Sequence, residues 1–179
     1  MALKPTIYKL NISLSDLDRN YYDTLTITIA QHPSETLERM MVRVLAFCIN
    51  AQEFLTFTKG LSDADEPDIW ARTLDGNISI WIDVGEPSVD RIKKASSLAS
   101  TVRVYSFNSK SDVWWSKEQE KFSKLAASVF QFQWESVQAL ARLVERTMTL
   151  SITIADDSAY VATDQGECEV PWLELQVKE

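Results

Sequence analysis

Two aspartates, Asp68 and Asp83, have the spacing in this sequence that most directly suggests chemistry. Between residues 67 and 83, two runs of β-forming residues flank the dipeptide Asp75-Gly76, which is typical of a two-residue hairpin turn. Such a turn places Asp68 directly opposite Asp83 on one face of the predicted hairpin. The sequence therefore predicts two carboxylates that share one small region of the fold.

Two opposed carboxylates are unfavourable unless something offsets their charge. Directly opposed side chains in a hairpin lie roughly 5 Å apart. With an effective dielectric constant near 20, their repulsion is about 3 kcal/mol. Such a pair persists if a cation neutralises it, if one acid is protonated, or if it lies at a wet sheet edge. The first alternative predicts a divalent-metal site, with Trp70 and Trp81 paired beside it on the same face.

Further residues could complete a site that cleaves phosphodiester bonds. Metal-dependent cleavage requires carboxylates that hold the cation and a positive group near the scissile phosphate. Glu38, on an earlier predicted helix, could add a third oxygen ligand to those of Asp68 and Asp83. The candidate cofactor is Mg²⁺ or Mn²⁺. The helix predicted after Asp83 carries three basic residues: Arg91, Lys93 and Lys94.

Each of these residues also has a purely structural interpretation. Asp68 could be a solvated residue at the start of a strand, and Asp83 could cap the following helix. Glu38 could pair with a base such as Arg39, and the helix lysines could form a solvated face. A hairpin without any ligand is the simplest of these alternatives.

The elements that position these residues can be predicted from hydrophobic patterns. Residues 6–14 and 22–30 alternate between apolar and polar residues, and the polar segment between them predicts an antiparallel hairpin. Acidic residues after Pro33 predict a helix that has this proline at its first position and runs to about Asn50. A short strand is expected over residues 54–58.

A strand–helix–strand unit is predicted at and after the acidic hairpin. Ser88 is a suitable N-cap for a helix through about Ala99. A right-handed crossover then makes the strand at 78–84 parallel to a β-rich run at 102–107. The remaining predicted elements are helices 111–126 and 135–146 and strands 129–132, 149–154, 159–163 and 172–177.

These elements predict a mixed α/β or α+β fold, in which helices flank a central mixed sheet, with an N-terminal β-hairpin and C-terminal strands. A chain of 179 residues can form this core as a single domain over residues 1–179. No apolar run is long enough to span a bilayer and the amino terminus lacks a signal-peptide pattern, so we expect a cytoplasmic protein without membrane contact. Cys48 and Cys168 are expected to be free thiols.

The net charge of −8 constrains the partners of the protein. Duplex nucleic acid is usually bound by a broad basic face, which this composition argues against. A nucleic-acid substrate is therefore expected to be a single strand, an end or a flap. A protein partner is an open alternative, and the oligomeric state does not follow from the sequence.

The same residues carry a family resemblance. Pro67-Asp68 followed by Asp83 on a hairpin resembles the PD-(D/E)xK nuclease superfamily, and nearly the whole chain resembles the YaeQ family of bacterial proteins. The resemblance implies a restriction-endonuclease-like core. It is carried by five sequence blocks: His32-Pro33-Ser34-Glu35-Thr36-Leu37-Glu38-Arg39-Met40-Met41, Phe57-Thr58-Lys59-Gly60-Leu61, Trp81-Ile82-Asp83-Val84-Gly85, Arg91-Ile92-Lys93-Lys94-Ala95 and Arg146-Thr147-Met148-Thr149-Leu150.

The sequence departs from the superfamily pattern at one position. The pattern has a lysine two residues after the second acid, and this chain has Gly85 there. The cationic group would then come from the next helix, with Lys94 as the first choice and Lys93 as the alternative. Two functions are therefore expected to compete: a divalent-metal-dependent nuclease, and an inactive nuclease-fold module that binds a protein or a nucleic acid.

Overall fold

The computed structural model describes residues 3–59 and 63–179. Within these ranges the fold is mixed α+β, with ten strands and four helices. Their bounds are β1 Thr6–Asp16, β2 Tyr21–Gln31, α1 Leu37–Ile49, β3 Leu55–Phe57, β4 Ile69–Arg72, β5 Ile78–Val84, α2 Val89–Leu98, β6 Ala99–Ser106, α3 Ser111–Phe122, β7 Ser128–Phe132, α4 Trp134–Ala141, β8 Thr147–Ala155, β9 Ser158–Thr163 and β10 Gly166–Gln176.

The chain divides into two compact units. Unit 1 combines the segments 1–49 and 133–172, and unit 2 combines the segments 50–132 and 173–179. The prediction of a single domain over residues 1–179 stays a prediction. Within the described residues, no helix has the length and apolar character that crossing a membrane requires.

Unit 1 is built on five strands in the order β2-β1-β8-β9-β10. The predicted N-terminal hairpin is confirmed, because β1 pairs with β2 in antiparallel register. β1 also pairs with β8 in parallel, and β9 pairs antiparallel with both β8 and β10. The alternation read from the sequence of β1 places four side chains in the core: Tyr8, Leu10, Ile12 and Leu14.

Unit 2 has its strands in the order β7-β6-β5-β4-β3. β3, β4 and β5 are antiparallel neighbours, whereas β5, β6 and β7 run parallel, so the predicted mixed sheet and the parallel crossover through α2 are confirmed. Helices α2 and α3 cover one face of this sheet. Their contacts form an apolar core of Trp81, Ile92, Ala95, Val102, Val104, Phe122, Ala127 and Val129.

The predicted start of the first helix was wrong by four residues. α1 begins at Leu37 rather than Pro33, and the hydroxyl of Thr36 accepts the backbone N–H of Arg39 at 3.2 Å. The acid that suggested an earlier first turn, Glu35, is buried and bound by Arg43 through two hydrogen bonds, of 2.9 and 2.5 Å. Glu35 thus forms an ion pair with a residue eight positions later, instead of lying in the first turn of a helix, where the N-terminal dipole favours acids.

The predicted two-residue turn at Asp75-Gly76 was also wrong. The chain reverses over Thr73–Asn77, whose ends are joined by a 2.8 Å hydrogen bond from the Thr73 N–H to the Asn77 carbonyl. A register shift between Ala71 and Arg72 compensates for the longer turn. As a result, the predicted pairing of Trp70 with Trp81 is found in the structure.

Candidate functional site

The two aspartates of the hairpin are both buried. Asp68 lies immediately before β4 and Asp83 is the penultimate residue of β5, with exposures of 5% and 2%. The Oδ2 atom of Asp68 accepts the N–H of Val84 at 2.8 Å. This hydrogen bond holds the Asp68 carboxylate against β5, next to Asp83. The Asp68 N–H also donates to the Ile82 carbonyl at 3.1 Å and extends the ladder by one residue.

Arg91 is the cationic partner of this acid pair. Its Nε donates to Asp83 Oδ2 at 2.7 Å and its Nη2 donates to Asp83 Oδ1 at 3.2 Å. The guanidinium also donates to the carbonyls of Ala64 and Glu66, in the segment that leads to Asp68. The planar guanidinium has five N–H donors, so the Arg91 side chain can bind the Asp83 carboxylate and the two carbonyls of the preceding segment at the same time.

The fold places Arg91 here through the start of α2. The Ser88 side chain caps the helix by accepting the Arg91 N–H at 3.2 Å, as the sequence predicted for Ser88. Arg91 therefore lies in the first helical turn, close to the end of β5, and its side chain reaches back over the sheet. There the guanidinium also lies over the Trp81 ring, 5.6 Å from its centroid.

The electrostatics of the pair are dominated by burial. Desolvation raises the pKa of Asp83, and the negative charge of Asp68 raises it further. The guanidinium of Arg91 opposes both effects and lowers this pKa, as does the indole of Trp81. Since the net shift is upward, one guanidinium does not fully compensate for the transfer of Asp83 out of water.

Trp81 presents an unused donor to the same region. Its Nε1 atom is buried and has no hydrogen-bond partner among the described residues. The influence of the indole on the pKa of Asp83 means that the two groups are close, although their geometry falls short of a hydrogen bond. An orphaned buried N–H costs about 1 to 3 kcal/mol, so a bound water or ligand oxygen would be stabilising at this position.

The predicted cationic group, Lys94, has a different environment. Its side chain is 68% exposed and forms a 3.6 Å ion pair with Asp65, which is 87% exposed. Lys93 is exposed on the same helix. Gly85, which stands where the superfamily pattern has lysine, is buried with φ of +110°. The structure therefore joins Arg91, and neither helix lysine, to the carboxylate of Asp83.

The predicted third ligand, Glu38, belongs to unit 1, whereas Asp68 and Asp83 belong to unit 2. Glu38 is half-buried in the first turn of α1. It lines a surface groove of about 580 Å³ together with residues at or next to the start of α1 and the end of α4: Thr36, Leu37, Gln138, Ala141 and Arg142.

The chemistry of the acid pair suits a small divalent cation. Among residues 3–59 and 63–179, no group of three or more His, Cys, Asp or Glu side chains is arranged to hold a metal. Mg²⁺, however, is commonly bound by one or two carboxylates with water in the remaining positions. The two buried carboxylates, Asp68 and Asp83, match that smaller requirement.

The chain matches the family described as YaeQ protein over residues 1–172. It is 42% identical over 172 residues to the uncharacterized protein YaeQ of Escherichia coli (strain K12) and to that of Shigella flexneri, with 95% of each chain covered. Its fold is similar to the crystal structure of YaeQ protein from Xanthomonas axonopodis pv. citri, with a TM-score of 0.93, 34% identity and coverage of 97% and 99% of the two chains. For YaeQ protein from Pseudomonas syringae the TM-score is 0.92 at 34% identity, with 97% of each chain covered.

Proposed function

The chain belongs to the YaeQ family, and from this premise we propose that it is a divalent-metal-dependent hydrolase of phosphodiester bonds in nucleic acid. The observation that carries the proposal is the buried pair of Asp68 and Asp83 at the end of one hairpin, with the guanidinium of Arg91 bound to Asp83. Two acids and one base are the minimum set that the resemblance to the PD-(D/E)xK pattern implies.

The burial of the pair supports a cation. Two carboxylates lie beside each other out of water, and desolvation, together with the charge of Asp68, raises the pKa of Asp83. Asp68 and Asp83 would hold Mg²⁺ or Mn²⁺ through hard oxygen ligands. The bound cation would supply an acidified water and polarise a phosphoryl oxygen.

Arg91 takes the role that the superfamily pattern gives to lysine. Its side chain is 31% exposed and tethered to Asp83, so its positive charge is both fixed and within reach of solvent. A guanidinium in that position would bind the non-bridging oxygens of a phosphate and stabilise the negative charge that develops there. In this proposal Lys93 and Lys94, which are exposed on α2, do not contact the acid pair and add only to the positive charge of the helix surface.

The substrate class follows from the charge of the whole protein. A chain with a net charge of −8 is poorly suited to a long duplex contact, so we propose single strands, ends or flaps as substrates. The mixed sheet of unit 2, with its acids on the β4–β5 hairpin, supports a restriction-endonuclease-like core for that unit. Cytoplasmic location accompanies this proposal as a further expectation.

A second function is favoured by the same contact that supports the first. Arg91 binds both oxygens of Asp83, and this bidentate pair already satisfies much of what a cation would supply. In an inactive nuclease-fold module, the guanidinium would permanently replace the metal and the protein would bind a partner without hydrolysis. The two functions differ in one measurable property, the affinity of the acid pair for a divalent cation.

The test combines calorimetry with cleavage, on the full-length protein. Mn²⁺ is titrated into the wild type, Asp68→Asn and Asp83→Asn, and we expect one site that both substitutions abolish. Asp16→Asn is the matched control, because Asp16 is equally buried, at 2%, and is paired with Arg19 at 2.6 Å. It should leave Mn²⁺ binding unchanged.

Cleavage is then followed with end-labelled single-stranded and flap DNA, with Mn²⁺ or with a chelator. Hydrolysis that requires Mn²⁺ and both acids supports the nuclease. No Mn²⁺ binding at the pair and no cleavage would favour the inactive module. Mn²⁺ binding at the pair without cleavage would keep the metal site and reject hydrolysis of these substrates. Glu38→Gln tests whether the predicted third ligand contributes, since its loss should weaken Mn²⁺ binding only if it does.

A further inference from the structure

The outer edge of β2 is an open hydrogen-bonding surface in unit 1. β2 pairs with β1 over all eleven of its residues, and no described strand lies on its other side. The Lys9 N–H of β1 donates to the Arg146 carbonyl, away from β2, at 2.8 Å. Because the direction of backbone groups alternates along a strand, Thr28, which faces Lys9, directs its own N–H and carbonyl outward. The same holds for Thr26 and for the carbonyl of Thr24, whereas the Thr24 N–H donates to Asp23 Oδ1 at 2.8 Å.

The middle of this edge lacks the devices that usually protect an edge strand. Natural sheets place charged residues, proline or bulges there, or keep the edge strand short. Residues 24–31 contain no charged residue and no proline, and their register with β1 is continuous. Charged side chains bind the outward backbone groups at the two ends only: Asp23 Oδ1 accepts the Thr24 N–H at 2.8 Å, and Arg43 Nη2 donates to the Ala30 carbonyl at 2.8 Å. By contrast β3, the edge strand of unit 2, has only three residues.

We infer that this edge pairs with the same edge of a second copy of the chain, in antiparallel register about Thr26. In that register Thr26 faces its own counterpart, and Thr24 faces Thr28 of the other copy. All three threonines are exposed and lie on one face, so the contact would contain a row of cross-strand threonine pairs. The pattern is symmetric about its centre, as a twofold contact requires.

Charge favours a second copy in this register. A protein with a net charge of −8 repels its own copies wherever acids meet. The strand has one acid, Asp23, and the twofold register places it opposite Ile29 of the other copy, so no carboxylates face each other. Within a surface rich in acids, residues 24–31 are therefore a stretch on which two copies can approach without repulsion.

The test measures the mass of the full-length protein by sedimentation velocity over a wide range of concentrations. We expect the wild type to dimerise, and Thr26→Lys and Thr26→Glu each to weaken dimerisation by roughly tenfold or more, because like charges would then meet at the twofold axis. A mixture of the Lys and Glu variants should dimerise again, because the two variants would bring opposite charges together.

The matched control is Thr149→Lys. Thr149 is exposed on β8, in register with Asn11 of β1, and its strand is paired on both sides. This variant makes the same change of charge on an interior strand and should dimerise like the wild type. A monomeric wild type at every concentration, a dimer that Thr26→Lys leaves intact, or a mixture that stays monomeric would each overturn the inference.

Discussion

The guanidinium of Arg91 and the carboxylate of Asp83 form a two-point contact between the first turn of α2 and the end of β5, with Nε–Oδ2 at 2.7 Å and Nη2–Oδ1 at 3.2 Å. Asp83 is almost fully buried, whereas the Arg91 side chain is 31% exposed. Asp83, whose pKa is raised, is therefore separated from solvent by the guanidinium of Arg91, which keeps its positive charge at every ordinary pH.

Removing the guanidinium should destabilise the protein strongly. Arg91→Ala leaves Asp83 buried without its cation and also removes the bonds to the carbonyls of Ala64 and Glu66. Breaking a buried pair costs about 3 to 5 kcal/mol, and the partial exposure of Arg91 reduces our expectation to about 2 to 3 kcal/mol. Urea denaturation measures this loss in the free energy of unfolding.

The control for that prediction is Lys94→Ala. Lys94 forms its ion pair with Asp65 at 3.6 Å on the surface, where such pairs contribute at most about 1 kcal/mol. The free energy of unfolding should change by less than about 0.5 kcal/mol. Equal losses in the two variants would mean that the Arg91–Asp83 contact has no special role in stability.

The raised pKa of Asp83 makes a prediction about pH. The folded state holds the Asp83 proton more tightly than the unfolded state, because burial raises the pKa above its ordinary value of about 3.9. Between that value and the raised folded pKa, the folded state binds more protons. The contribution of Asp83 to the free energy of unfolding is therefore fully present below about pH 3.9 and falls as the pH rises through the window.

Two variants isolate this contribution in unfolding curves measured from about pH 4 to pH 7. Asp83→Asn should remove it, so that the stability of the wild type relative to the variant declines with rising pH. Asp68→Asn should narrow the pH interval over which stability falls, because the charge of Asp68 is one cause of the raised pKa of Asp83 in the folded state. A difference between wild type and Asp83→Asn that is independent of pH would contradict the assignment.

Much of the fold could be predicted because it depends on local patterns. The alternation of residues in β1 and the cap at Ser88 each determine an element from a few adjacent residues, and both appear where expected. The start of α1 could not be predicted, because Glu35 is bound by Arg43 from eight residues away. The longer turn over Thr73–Asn77 was also not predicted. The register shift between Ala71 and Arg72 gives the same pairing of β4 with β5 that a two-residue turn would give, so the pairing does not reveal the length of the turn.

The proximity of Asp68 and Asp83 could be predicted, and the choice of the base that binds Asp83 could not. Asp68 and Asp83 depend on hairpin register, which hydrophobic alternation constrains strongly. The choice among Arg91, Lys93 and Lys94 depends on how α2 leaves β5, which spacing alone does not determine. One signal was available: Ser88 as N-cap places Arg91 in the first turn, the part of the helix nearest to Asp83.

The orphaned indole of Trp81 predicts an unusually tolerant substitution. Trp81→Phe removes a buried donor that has no partner, which offsets the packing lost with the larger ring. We expect the free energy of unfolding to change by no more than about 1 kcal/mol, against about 3 to 5 kcal/mol for a Trp→Ala truncation in a core. The pKa of Asp83 should rise further, because the indole lowers it.

Carbon-detected NMR titration of the aspartate carboxyl groups measures that pKa, and chemical denaturation measures the stability. Trp115→Phe is the matched control, since Trp115 is partly buried and packs against Phe122 with ring centroids 5.7 Å apart. It should leave the pKa of Asp83 unchanged. A large loss of stability in Trp81→Phe would show that the indole N–H has a partner in solution.

Placing a lysine at Gly85, the position at which the PD-(D/E)xK pattern has one, should destabilise the protein. Gly85 has φ of +110°, a conformation that side chains rarely adopt, although nothing lies within 4 Å of the position its Cβ would occupy. The cost is therefore one of backbone conformation rather than of contact, and we expect Gly85→Lys to lose about 1 to 3 kcal/mol. Gly85→Ala should lose a similar amount. A Gly85→Lys variant as stable as the wild type would contradict the expected backbone strain.

Comparing cleavage of DNA by Gly85→Lys and Gly85→Ala isolates the effect of the ammonium group. Faster cleavage by Gly85→Lys would mean that Arg91 does not supply all of the positive charge that the reaction requires. Equal rates well above background would mean that Arg91 supplies it, and no cleavage by either variant would favour the inactive module.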